Sequence, residues 1–171
     1  MPGSSAPDAA AVLELCRRRG WRLATAESCT GGLVCGRLTD VAGSSDVVQG
    51  GVVVYANAQK IRWLDVDEAT LDAHGAVSAE AARAMAEGCR RAFAVELAVS
   101  VTGIAGPGGA TPTKPVGLVH LAVASPVGTI DRRAVFAGGR AQVRSASVDA
   151  ALALLASAAG GGEVAGDAEG G

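Results

Sequence analysis

Three stretches of this chain carry groups able to do chemistry. The first, Thr25-Ala26-Glu27-Ser28-Cys29-Thr30-Gly31-Gly32, lies where an apolar run gives way to glycines and then to a second apolar run. That pattern is a strand turning into a helix, and unpaired backbone amides at a helix start favour negative charge. A serine at such a turn can act as a nucleophile, with the amides around Thr30, Gly31 and Gly32 stabilising an oxyanion. Ser28 or Thr30 could instead serve only to cap the helix. Cys29 is a rival nucleophile, although no histidine lies near it in sequence to activate it.

The second stretch, Tyr55-Ala56-Asn57-Ala58-Gln59-Lys60, is a strand end passing into a helix. Ligand sites in open α/β sheets gather outside the carboxyl ends of strands. It holds the single tyrosine and one of only two lysines, the other being Lys114, among 15 basic residues. A lysine at the positive start of a helix has a lowered pKa and becomes a better base, whereas on a solvated surface it would be unremarkable. The third stretch, Thr102-Gly103-Ile104-Ala105-Gly106-Pro107-Gly108-Gly109, follows another strand pattern. It lacks the Lys-Ser/Thr of a P-loop, since Gly103-x-x-x-x-Gly108 runs on into Gly109-Ala110. A generic turn permitting close backbone approach is the plain alternative. Arg140 and Arg144, one turn apart at the start of the last helix, can each grip an anion.

The elements that must position these groups follow from caps and periodicity. Asp8 caps a helix that runs through Arg19 and ends at Gly20. A short strand at Trp21–Ala26, a glycine-rich corner and a helix near Leu33–Asp40 come next. Val47–Ala56 is apolar and β-branched enough for a buried strand, with Gly50-Gly51 as a candidate bulge. Asn57 is expected to cap a helix to Leu64, and Asp67–Ala73 a further short helix stopped at Gly75. Ser78 opens an alanine-rich helix to Phe93, and Glu96–Thr102 is the next strand. Val116–Ser125 and Thr129–Phe136 form a strand pair joined by Pro126-Val127-Gly128, and a last helix covers Ala141–Ala158. Helices first alternate with strands and a hairpin follows, which predicts an α/β fold: one three-layer α/β/α sandwich with a mixed sheet. Residues 1–7 read as a flexible leader, 8–159 as the single domain, and 160–171 as a glycine-rich acidic tail.

Composition excludes several function classes. The 171 residues suit one domain with its own core. A net charge of -2 gives no electrostatic footprint for a nucleic-acid partner. The Arg17-Arg18-Arg19 run closes a helix, where cations complement the dipole. No uninterrupted apolar stretch reaches the roughly 18 residues of a membrane span, and the start of the chain lacks a signal peptide's basic flank, so a cytoplasmic protein is expected. Cys16, Cys29, Cys35 and Cys89 form no C-x-x-C pair, and His74 and His120 stand alone, so no metal site is expected.

Taken together and in order, these blocks resemble one family. The stretches quoted above, with Gly43-Ser44-Ser45, His74-Gly75-Ala76-Val77-Ser78 and Lys114-Pro115-Val116-Gly117, look like the C-terminal domain of competence/damage-inducible protein CinA. That family includes stand-alone nicotinamide-nucleotide amidases, and the resemblance covers residues 8–158. It implies an α/β/α fold and hydrolysis of nicotinamide mononucleotide to nicotinic acid mononucleotide and ammonia, a step in pyridine nucleotide recycling. It implies no cofactor, and a homo-oligomer. By motif position Ser28 is similar to the family's nucleophile, Lys60 to its general base and Tyr55 to an assisting hydroxyl. Ser45, Thr102, Gly103 and Gly106 match positions lining the nucleotide site, and Arg140 would face the phosphate. The sequence departs from the pattern at Gly139, where an acidic or amide residue is expected before the arginine, which keeps Arg144 as a second phosphate candidate. Since Met1–Gly20 alone precede the first strand, the extra N-terminal domain of longer family members is not expected.

Two other readings compete at this level. One is a non-catalytic nucleotide-sensing module tied to competence or DNA damage. The other is a phosphoryl-transfer enzyme, which would need a metal-binding acidic site that the sequence does not offer.

Overall fold

A computed structural model describes residues 7–161. Five strands form one sheet in the order β2-β1-β3-β4-β5, with β1 at Leu23–Glu27, β2 at Val48–Val53, β3 at Leu97–Gly103, β4 at Leu118–Ser125 and β5 at Gly128–Val135. β1 pairs in parallel with β2 and β3, whereas β3–β4 and β4–β5 are antiparallel, so the sheet is mixed as predicted. Six helices cover it: α1 (Ala9–Arg19), α2 (Leu33–Thr39), α3 (Asn57–Leu64), α4 (Glu68–His74), α5 (Ala79–Phe93) and α6 (Arg140–Gly160).

Alternation along the strands sorts side chains into two layers. Leu23, Leu97, Val99, Val101, Val119, Leu121 and Val123 meet α1, α2 and α6 on one face. Ala24, Ala26 and Ala98 meet Leu64, Leu71, Ala81, Met85 and Cys89 of α3, α4 and α5 on the other. The second face is made of small residues, and Ala122 and Ala124 of β4 continue it against Ala82 and Ala86. This is where the alanine-rich composition goes: α5 lies close on the sheet, and the Ser100 hydroxyl donates to the Ala82 carbonyl at 2.5 Å.

The caps act as read from the sequence. Asp8 accepts from the Ala11 amide and Gly20 closes α1 in a left-handed conformation, while Ser78 accepts from the Ala81 amide at the head of α5. Three expectations change. β2 is an edge strand whose exposure alternates, not a strand buried on both faces. Its register slips between the β1 partners Val48 and Gly50, and Gly51 lies so close to Thr25 that a Cβ there would sit 2.2 Å from its hydroxyl oxygen. Asn57 is not the cap of α3: that position is Ala56, which makes no side-chain cap bond. α6 runs to Gly160 with Gly161 as its cap, so the start of the expected tail belongs to the domain, and the rest of that tail and residues 1–6 lie outside the described residues.

By length and composition α6, at 21 residues, could cross a membrane. Its apolar side is already used: Val143, Val148, Ala151, Leu152, Leu154, Leu155 and Ala159 are buried in the core shared with α1 and the sheet.

Candidate active site

The three parallel strands end at one edge of the sheet, and their following loops enclose an open cavity of ≈ 270 Å³. Ser28 and Cys29 follow β1, Tyr55, Asn57 and Lys60 follow β2, and Thr102–Gly106 follow β3. Ala76 and Val77 make the far wall, and Arg140 stands at the head of α6.

Lys60 is the unusual group. It is only 1% exposed, the largest side chain so deeply buried among the described residues. Its Nζ lies 3.0 Å from the Val54 carbonyl oxygen, 3.2 Å from that of Tyr55 and 3.2 Å from Ser28 Oγ. Among the described residues no carboxylate bonds to it. Burial therefore dominates and pulls its pKa below the ordinary 10.5. The helix start contributes less to this than the sequence suggests, because Lys60 is the fourth residue of α3 and its amine is turned back onto the end of β2. A neutral amine has two N–H groups and one lone pair. Two carbonyls can accept the two protons, which leaves the lone pair for the Ser28 hydroxyl.

The turn that presents Ser28 is held from both sides. The Ser28 amide donates to Val101 O at 2.9 Å and the Gly31 amide to Ser28 O at 3.1 Å. Gly31 and Gly32 take φ values of +59° and +104°, conformations that side-chain-bearing residues resist. The buried Glu27 carboxylate accepts from the amides of Val34 at 2.8 Å and Cys35 at 3.0 Å. It thereby satisfies the first turn of α2 and ties that helix to the end of β1. The sequence reading missed Glu27; an acid closing an otherwise apolar strand, seven residues ahead of helical amides, was the available signal.

Cys29 is 5% exposed, and burial pushes its thiol up to about 11. It is therefore a neutral thiol at physiological pH, a poor nucleophile beside Ser28. Thr30 is fully buried, with a hydroxyl that meets no partner among the described residues, so what it can offer the cavity is backbone.

Tyr55 is exposed, and its hydroxyl accepts from Arg140 Nη2 at 3.0 Å. What it shares with Lys60 is its carbonyl; its phenol stands at the cavity mouth. Arg140 also donates from Nη1 to Gly106 O at 2.8 Å. Gly139, the departure in the motif, is the N-cap and makes no side-chain cap bond. Thr102 lines the cavity, but its hydroxyl donates to Ala76 O at 2.8 Å and so fastens the β3 end to the opposite wall. Gly103 and Gly106 line the cavity beside it.

Five predicted ligands do not line the cavity: Thr30, Gly31 and Gly32 of the turn after Ser28, with Gly32 on the groove between α2 and α6, and also Ser45 and Arg144. Ser45 sits in a short 3-10 turn (Ser44–Asp46) that precedes β2, whereas Ser28 follows the parallel strand β1. It is thus at the opposite end of the sheet, and within one protomer it does not line the cavity. Arg144 lies behind the Ser28 turn, in a groove between α2 and α6, with Nε 3.1 Å from Cys29 O and Nη2 3.3 Å from Thr30 O.

Residues 6–159 match the family model described as the CinA C-terminal domain. The chain belongs to the CinA C-terminal domain family. A CinA-like protein of Anaeromyxobacter dehalogenans is 55% identical over 137 residues, covering 80% of this chain and 34% of that protein. A CinA-like protein of Synechococcus sp. is 52% identical over 149 residues, 86% of this chain and 36% of its own. The chain thus spans about a third of the length of the curated CinA relatives it matches. Among solved structures, competence/damage inducible protein CihA from Agrobacterium tumefaciens has a TM-score of 0.79 at 45% identity, covering 85% of this chain and 93% of that one. A CinA superfamily protein from Klebsiella pneumoniae has a TM-score of 0.86 at 31% identity, covering 90% and 96%. The mixed α/β sandwich is the CinA fold.

Proposed function

We propose that this chain is an amidase that hydrolyses nicotinamide mononucleotide to nicotinic acid mononucleotide and ammonia through Ser28 and Lys60, a cytoplasmic step in pyridine nucleotide recycling. The observation that carries this reading is the environment of Lys60: a buried amine with two carbonyl acceptors, no bonded carboxylate, and Ser28 Oγ at 3.2 Å. That geometry favours a neutral lysine able to take a proton from serine.

The reaction then has two halves. Ser28 Oγ attacks the carboxamide carbon as its proton passes to Lys60 Nζ, and the carbonyl electron pair moves onto oxygen. Backbone amides of the Thr30–Gly32 turn, apart from that of Gly31, which already donates to Ser28 O, supply the donors to that oxyanion. Collapse of the intermediate breaks the carbon–nitrogen bond, and the proton on Lys60 leaves with ammonia. Water next attacks the ester on Ser28 and gives one proton to Lys60, which returns it to Ser28 Oγ as the acid departs. Arg140 meets the phosphate at the cavity mouth: two of its five N–H groups are engaged with Gly106 and Tyr55, so three remain. Incubation with nicotinamide mononucleotide, followed by assay of both products, tests the reading. Ammonia and nicotinic acid mononucleotide in equal amounts are expected; bound but unchanged nucleotide would mean a sensing module instead.

A further inference from the structure

Arg144 makes contacts of an unusual kind for a motif arginine. It binds no carboxylate among the described residues, and its Nε and Nη2 go to two successive carbonyls, Cys29 O at 3.1 Å and Thr30 O at 3.3 Å. These belong to the turn immediately after Ser28. The guanidinium reaches them from behind, from the groove between α2 and α6, while Ser28 and Cys29 face the cavity in front. In a planar trans peptide the N–H points opposite to the C=O. A Cys29 carbonyl drawn back towards Arg144 therefore sends the Thr30 N–H forward. The next amide, Gly31 N–H, is consumed by Ser28 O; those of Cys29, Thr30 and Gly32 donate to no backbone carbonyl among the described residues, and Gly32 lines the groove behind rather than the cavity. The first amides inside α2 are also taken, that of Leu33 by Thr30 O and those of Val34 and Cys35 by Glu27.

We propose that Arg144 is a positioning residue that holds the Cys29–Thr30 peptide with its Thr30 N–H towards the cavity, where that amide serves as an oxyanion donor. A guanidinium suits the task because its fixed fork spans two neighbouring carbonyls, which an ammonium would hold less rigidly. The Cβ direction of Gly31 also lies 3.3 Å from Arg144 Nη2, so the glycine leaves room for the fork. Arg144 accordingly does not compete with Arg140 for the phosphate. The chemistry of this inference rests on the amidase reading, but its geometry does not.

The test compares wild type, Arg144→Met and Arg144→Lys in two assays: ammonia release from nicotinamide mononucleotide, and the rate at which a fluorophosphonate probe labels Ser28. The probe's phosphoryl oxygen takes the oxyanion position, so labelling reads the donor without the nucleotide. Arg144→Met is expected to lower kcat about 10²-fold, the scale of one lost oxyanion donor. KM should stay within about threefold, which separates positioning from substrate binding. Labelling should slow by a similar factor, and Arg144→Lys should fall between the two. Turnover and labelling both within about twofold of wild type would overturn the proposal, as would a loss confined to KM. If wild type releases no ammonia but labels at Ser28, the amidase reading fails while the labelling rates still decide the role of Arg144. If wild type neither turns over nor labels, both fall. Should Arg144→Met lose its cooperative melting transition, Arg144→Lys carries the same comparison.

Discussion

The sheet has two halves of different character. In the parallel half, β2-β1-β3, every strand ends at the same edge, and Ser28, Tyr55, Lys60, Thr102 and Gly103 collect there. The antiparallel half, β4-β5, is joined by the short Pro126-Val127 turn and supplies no residue to the cavity. Burial does not explain the difference, since all eight residues of β4 are buried. Connectivity does. Parallel neighbours must be linked by crossovers, which leave variable loops at one end, and the long link from β3 to antiparallel β4 also opens at that end, whereas the β4-β5 hairpin uses a tight turn at the other. The parallel half also pays for its site in buried polar groups, Lys60 and Glu27 above all, while the β5 side keeps its charges near solvent.

Substitutions in the two halves should therefore separate cleanly. The largest effect is expected for Lys60→Met, which leaves Ser28 without a base and should cut ammonia release by at least about 10³-fold; retained turnover would remove Lys60 from the mechanism. In wild type, kcat/KM should rise with pH through an apparent pKa below 10.5, because burial favours the neutral amine. Stability follows the same sign. Between the lowered folded pKa and 10.5 the unfolded chain binds more protons at Lys60, so its contribution to stability grows as pH rises and is complete above 10.5. A profile that rises only above 10.5 would contradict a buried neutral lysine.

Glu27→Gln comes next. An amide can accept from only one of the two α2 N–H groups without turning its own NH2 towards the other. A loss of about 2 kcal/mol follows from an unsatisfied buried donor. Melting should fall by about 4–8 °C, with slower turnover as the Ser28 turn loosens. In the antiparallel half, Arg83→Met removes a half-exposed bond to Asp131 that joins α5 to β5. It should cost less than about 1 kcal/mol and leave ammonia release unchanged. The smallest effect belongs to Val127→Asn at the hairpin tip, 90% exposed, for which both melting and turnover should match wild type. Loss of activity in either Arg83→Met or Val127→Asn would break the division between the halves.

Much of this was readable in advance, for identifiable reasons. Asp8, Gly20 and Ser78 act locally, through bonds to residues four or fewer positions away, so helix ends follow from sequence. The glycine-rich blocks likewise mark the ends of parallel strands. The edge position of β2 was not readable, because Val52, Val53 and Val54 look the same on an edge as in the middle of a sheet. Nor was the place of Ser45: a motif's order along the chain does not say which end of the sheet it occupies. Glu27 and the contacts of Arg144, which the sequence offered only as a phosphate ligand, escaped for a common reason. Each works on backbone atoms, the amides of Val34 and Cys35 or the carbonyls of Cys29 and Thr30, and backbone partners leave no pattern of side-chain types.

The most direct test of the Ser28–Lys60 account sets wild type beside Ser28→Ala with nicotinamide mononucleotide, measuring ammonia and nicotinic acid mononucleotide together with nucleotide binding by calorimetry. The account predicts equal amounts of both products from wild type and none from Ser28→Ala, which still binds the nucleotide. Near-normal turnover by Ser28→Ala, or no ammonia from wild type, would contradict it.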